Sequence, residues 1–163
     1  MLGGFIFQGA MEEVLCRGVV LQLLKARTPI PVAVGISTAL FIVPHLGNMT
    51  GASKSITFFA VVDLILISLV FAFLTLSLKS IWAACGLHSI WNFILYNILG
   101  LNLSGNDTMS AAIFDMRSVG SNILNGGIYG IEASIITAAV LAAFLIVCYA
   151  ISHKGKHTEE RQG

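Results

Sequence analysis

The amino-acid sequence predicts an all-α, polytopic membrane protein: a transmembrane helical bundle of about five spans enclosing a polar cavity. Three observations predict it. Of 163 residues, 56% are hydrophobic and 10% are charged, roughly half the charge of an ordinary soluble domain. The apolar runs approach the ~20 residues that a helix needs to cross a bilayer. Several of those runs carry ionisable residues, and such residues inside a membrane are expensive enough to signal function.

Span one covers residues 2–24 and closes at "KARTP". Span two covers 30–47, span three 56–78, span four 81–101 and span five 131–151. Residues 1–151 therefore read as one membrane domain, and "SHKGKHTEERQG" (152–163) as a charged, solvated tail. The polar, glycine-rich stretch 102–130 reads as a long loop with a short interfacial helix around 109–124. No cationic leader precedes the first apolar run, which argues against a cleavable signal peptide. That run starts at the first residue, so the numbering is expected to begin partway through a longer protein that carries further N-terminal helices.

Orientation follows from the basic residues. Lys25, Arg27, Lys79, Lys154, Lys156 and Arg161 fall on one side of the five-span alternation, and only Lys54 and Arg117 on the other. The C-terminus is thus expected in the cytoplasm, with the 102–130 loop on the far side. The N-x-S/T triplets at Asn48, Asn102 and Asn106 would share that far side and read as chance. A formal net charge of +1 predicts no acidic partner such as nucleic acid, while the apolar runs make membrane lipid the expected surrounding. Cys16, Cys85 and Cys148 are scattered, odd in number and apolar in context, which argues against disulfides or a cysteine zinc site.

The charges in "MEEVLCR" (11–17) raise the functional question. Glu13 and Arg17 are four apart and share a helix face, and burying them as a pair costs far less than burying either alone. Glu12 sits one step around the helix, which leaves it as the unpaired carboxylate suited to a general base. In "FIVPHLG" (41–47), Pro44 crowds the carbonyl of Leu40 and should kink the helix beside His45. A freed carbonyl in a membrane needs protein or water around it, so this kink should face a cavity. The orientation puts His45 near the far end of span two while Glu12 lies mid-membrane, so span two must start late or tilt. In "CGLHSIWNFILYN" (85–97), His88 and Asn92 share a face. Together they could donate to an oxyanion, His88 could ligate a metal, or both could bridge neighbouring helices. Cys85 reads as an ordinary buried cysteine. Asp63 reads as a cavity-facing hydrogen-bonding group, and Glu132 as a complement to a helix N-terminus. The phenylalanine-rich "FFAVVDLILISLVFAF" reads as lipid contact and helix packing.

Three fragments now stand together: Glu12-Glu13-x-x-x-Arg17, Phe41-x-x-x-His45 and His88-x-x-x-Asn92. Their order and placement on three apolar helices resemble the CPBP (CAAX protease and bacteriocin-processing, or Abi) family of intramembrane proteases. The resemblance spans residues of about 5–100, and "GGIYGIEASI" (126–135) looks like a further segment of bacterial members.

The resemblance implies an intramembrane CAAX-type or bacteriocin-processing endopeptidase in a bacterial plasma membrane. Its substrate would be an apolar peptide or prenylated protein, and its role processing of, or immunity to, a secreted peptide. Glu12 matches the catalytic glutamate, acting with His45 on a water. Glu13 and Arg17 match a supporting pair, with Phe41 beside His45. His88 and Asn92 match residues assigned to the oxyanion or to metal coordination. If a divalent metal such as zinc is used, Glu12, His45 and His88 are its expected ligands. Two other classes fit the same residues: a non-catalytic immunity or scaffold protein, and a proton-coupled transporter using Glu12, Asp63 and His45.

Overall fold

The computed structural model describes residues 2–105, 112–116 and 120–159. Helices and loops make up the described residues, with no strand among them. An N-terminal rod runs without a break through α1 (Leu2–Glu13), a π-helical stretch (Val14–Val20) and α2 (Leu21–Lys25). The π stretch begins directly after Glu13 and contains Arg17. Such wide turns interrupt α-helices mostly at functional sites.

Helix α3 (Ile30–Ile42) starts after the extended Pro29 and carries a second proline in its first turn, where no backbone N–H is missed. At Pro44 it tightens into a 3-10 helix (Val43–Met49), which is the form the expected kink takes. Helix α4 (Lys54–Leu78) is capped by the Ser53 hydroxyl and stopped by Lys79 in the left-handed conformation. Its 25 residues span about 37 Å at 1.5 Å each. Helix α5 (Trp82–Phe93) continues as a second π stretch (Ile94–Ile98). Helix α6 (Ile135–Glu159) closes the order.

Helix α4 is the hub, touching α3, α5 and α6, while α1 lies along α5 and α2 along α3. Small residues permit the closest approaches. Ala33, Ala60 and Ala84 are fully enclosed. At Gly9 an added Cβ would lie 2.7 Å from Ser89 Oγ and 3.0 Å from the Ser89 nitrogen.

Polar groups lie buried among the apolar core, and large apolar side chains face outward. Glu13, Arg17, Ser68, Asp63, His88 and Asn92 are buried, whereas Phe7, Phe58, Trp82 and Ile146 are exposed. Two helical segments, Ile30–Met49 and Lys54–Leu78, are long and apolar enough to cross a membrane. The apolar part of α6, Ile135–Ile151, is shorter.

Two expectations are corrected. The interfacial helix around 109–124 is not formed at 112–116 or 120–124, and its remaining residues lie outside the described ones. The backbone N–H groups of Ile113, Phe114 and Met116 instead donate to the carbonyls of Asn97, Ile98 and Leu99 at 3.0, 2.8 and 3.1 Å. Those carbonyls lack partners at a helix end, and satisfying them ties the segment to the end of the second π stretch. The last helix begins at Ile135, not 131. Gly130 has φ 102°, and a Cβ there would run into the Asn102 carbonyl, so the chain must turn before Ser134 can cap Thr137 at 3.1 Å. Helix α6 carries its backbone on to Glu159, into the segment expected as a charged tail. Residues 160–163 lie outside the described ones.

Candidate active site

The N-terminal rod presents its charges inward because Glu13 and Arg17 share a face four residues apart. Arg17 Nη1 donates to Glu13 Oε1 at 3.0 Å, and both side chains are wholly enclosed. Its other terminal nitrogen donates to the Ser68 carbonyl at 3.1 Å and to the Ser68 hydroxyl at 2.6 Å. Thr38 Oγ1 adds a 2.8 Å bond to that hydroxyl. The guanidinium carbon lies 4.5 Å from the Phe41 ring centroid and 5.3 Å from that of Phe71, placing the cation over two aromatic rings. One carboxylate, one serine and two rings therefore replace the water that this cation has lost.

Glu13 Oε1 also accepts from His88 Nδ1 at 3.1 Å. This bond fixes the His88 ring, because a carboxylate can only accept and Nδ1 must therefore carry the proton. The other ring nitrogen, Nε2, lies 3.9 Å from Glu12 Oε2. That gap is too long for a hydrogen bond and suits one small molecule touching both groups. Phe71 stacks on the His88 ring at 5.1 Å and 19°. Glu12 is held loosely, with Gln8 Nε2 at 3.4 Å from its Oε1.

His45 is positioned by the proline. In 3-10 bonding its backbone N–H turns to the carbonyl three residues back, which leaves the Phe41 carbonyl to accept from His45 Nδ1 at 2.9 Å. The neutral ring then offers Nε2 as an acceptor. Phe41 holds the group together, its ring 5.1 Å from His45, 5.9 Å from His88 and 6.2 Å from Phe71.

Glu12, His45, His88 and Asn92 all line one cavity of about 440 Å³, within the size range of small-ligand sites. The structure thus brings together the four residues expected from the sequence; Phe41 lines the same cavity, and Glu13 and Arg17 are enclosed behind it. The depth difficulty for His45 disappears, since it and Glu12 face the same space. Cys85 is buried and does not line this cavity.

The far wall holds groups that the sequence placed differently. Glu132 sits in a 3-10 turn (Ile131–Ala133), ahead of α6. Its carboxylate accepts from Trp91 Nε1 at 2.8 Å, the Ser104 backbone N–H at 2.8 Å and the Ser104 hydroxyl at 3.1 Å. It therefore ties the 102–130 loop to α5 rather than serving a helix dipole. Tyr129 is buried beside it, and burial together with the Glu132 charge raises its phenol pKa, so it stays a neutral O–H. Phe71 belongs to the site and not to the lipid surface, unlike the exposed Phe58. A signal for this existed: Ala60, Leu64, Ser68, Phe71 and Thr75 are buried and recur every three or four residues, the period of one helix face. The pairings Arg17–Ser68 and Trp91–Glu132 link residues 51 and 41 apart and had no local signal.

Among the described residues, no group of three or more His, Cys, Asp and Glu side chains is arranged to hold a metal ion. Glu12, His45 and His88 share the cavity without forming a ligand set, so no step below is routed through a metal.

Residues 1–94, more than half of the chain, match the family model of type II CAAX prenyl endopeptidases, Rce1-like. The chain belongs to this Rce1-like family. The match ends just beyond Asn92, so it covers all three fragments that build the site. No curated protein and no solved structure matches the chain. Family membership and the apolar helices together make it an integral membrane protein of a CAAX-type protease family.

Proposed function

We propose that this Rce1-like chain is a membrane-embedded endopeptidase that hydrolyses a peptide bond in an apolar or lipid-modified substrate. The observation that carries the reading is Glu12 Oε2 facing His88 Nε2 across 3.9 Å, in a cavity that His45 and Asn92 also line. In this reading five helical spans wall that cavity from lipid, because hydrolysis needs water where a bilayer has none. In this reading the membrane is a bacterial plasma membrane, and the distribution of basic residues favours a cytoplasmic C-terminus.

Water bound against Glu12 gives up a proton to the carboxylate or to His45 Nε2 as its oxygen attacks the scissile carbonyl. Asn92 Nδ2 donates to the oxygen that becomes negative. His88, its ring fixed by the bond from Nδ1 to Glu13, turns Nε2 toward the same water beside Glu12. Glu13 and Arg17 then act as positioning residues: they hold His88 rather than touch substrate. The substrate would be an apolar peptide or prenylated protein entering laterally from the bilayer. Processing of, or immunity to, a secreted bacteriocin-like peptide is the biological role that fits a bacterial membrane.

The test is cleavage of a farnesylated CAAX reporter peptide by the purified protein in liposomes, with the peptides of wild-type and Glu12→Gln membranes compared alongside. Loss of a general base predicts a fall of about 10²–10⁴-fold in kcat for Glu12→Gln with unchanged expression and Tm. Equal cleavage by the two proteins would overturn the reading. An unaffected biological phenotype would point to an immunity or scaffold role.

A further inference from the structure

Asp63 is 3% exposed, and neither of its carboxylate oxygens has a hydrogen-bond partner among the described residues. It nonetheless lines the cavity. The Ser134 backbone lies on one side of it, and Glu132 is close enough to act on it electrostatically. The three carboxylates that line this space, Glu12, Asp63 and Glu132, have no lysine or arginine beside them among the lining residues. Arg17 is already committed to Glu13 and Ser68. Glu132 is satisfied by three neutral donors, and Glu12 belongs to the proposed water site. Asp63 is left as an enclosed acceptor pair in the cavity wall, which Tyr129 also lines, its hydroxyl likewise without a geometric partner.

A buried polar group without a partner costs about 1–3 kcal/mol, and more when it is charged. A charged occupant that donates several hydrogen bonds removes that cost. An ammonium group fits: it has three donors, no acceptor and a positive charge. Among the described residues, no three-ligand set of the kind a metal ion needs is present.

From this wall we infer that the cavity carries a subsite for a primary ammonium group, with Asp63 as its acceptor and Glu132 supplying further negative potential. The inference rests on the protease reading for its biological meaning: the ammonium would belong to the peptide being cleaved, as a lysine side chain or a free N-terminus. Its binding chemistry does not depend on hydrolysis.

The experiment therefore measures binding alone, on the full chain in detergent. The chain has two tryptophans, and Trp91 lines the cavity while Trp82 is exposed. In a Trp82→Phe background, fluorescence of Trp91 is titrated with hexylammonium, hexanol and leucinamide. Saturable binding of hexylammonium at least tenfold tighter than hexanol is expected, and Asp63→Asn should remove that preference. Leucinamide separates the sources: preference for it indicates an N-terminus, and preference for hexylammonium a lysine side chain. Equal responses to hexylammonium and hexanol would overturn the subsite without recourse to any variant. An unchanged preference in a folded Asp63→Asn protein would overturn the role of Asp63. Repeating the titration in Glu12→Gln keeps the two ideas apart. Ammonium binding there, alongside unimpaired cleavage by Glu12→Gln, would refute the protease mechanism and leave the subsite standing.

Discussion

Gly9→Ala should disable the site without touching any residue that lines it. Gly9 faces Ser89, the neighbour of His88, where α1 lies along α5. A Cβ at position 9 would sit 2.7 Å from Ser89 Oγ, 3.0 Å from its nitrogen and 3.3 Å from its Cα. The hydroxyl can rotate away, but the backbone atoms cannot. Ordinary contact begins at 3.4 Å, so the helices must separate by at least about 0.4 Å, given that interiors are close-packed. The Glu13–His88 bond, one helical turn away at 3.1 Å, would stretch to the limit of hydrogen bonding. Overpacking of this kind costs about 1–3 kcal/mol, and Tm falls about 2–4 °C per kcal/mol in a chain of this length. A 1 Å misplacement of catalytic groups can cost about 10²-fold, so a shift of this size should lower reporter-peptide cleavage roughly tenfold. Gly4→Ala is the control, because nothing lies within 4 Å of the added carbon and alanine favours the helix by up to ~1 kcal/mol. Thermal unfolding in detergent and cleavage in liposomes read out both variants. If Gly9→Ala matches Gly4→Ala in both, the α1–α5 contact does not set the carboxylates against His88.

Arg17→Ala strands Glu13 as a buried, uncompensated charge, which predicts a loss of about 3–5 kcal/mol seen as a marked drop in Tm. The double change Glu13→Gln with Arg17→Met should recover most of it, and no recovery would contradict the pairing. Water activation by side chains alone predicts that cleavage survives exhaustive chelation. Loss of activity on chelation, restored by zinc and matched by one bound ion per chain in elemental analysis, would replace that step with metal activation by Glu12, His45 and His88.

Much of the site was legible because helical spacing is local. Glu13–Arg17, Phe41–His45 and His88–Asn92 are each four residues apart, and the helix alone puts each pair on one face. The pairing of Glu13, rather than Glu12, with Arg17 followed from the same geometry, and the Arg17–Glu13 bond bears it out. Pro44 announced a break, since a ring without an N–H cannot continue α-bonding. It did not announce that the tighter turn would hand the Phe41 carbonyl to the His45 ring. Glu132 was misjudged for a related reason: its position ahead of a helix suggested a dipole partner, whereas Trp91 and Ser104, remote in sequence, claim its oxygens. Phe71 was lost among other phenylalanines, because composition does not tell a lipid-facing ring from an inward one.

By itself the sequence determined that the chain lives in a membrane, that it is helical, and which polar residues share a helix face. Each follows from short-range physics: the cost of charge in lipid and the fixed pitch of a hydrogen-bonded helix. The tertiary structure decided which faces meet. His88 lies between Glu12 and Glu13 because Gly9 lets α1 close on Ser89. Arg17 is held by Ser68 because α4 is the hub, and Asp63 and Glu132 share a wall because the turn that carries Glu132 packs on α4. Those choices depend on shape complementarity between distant segments, which no periodicity records.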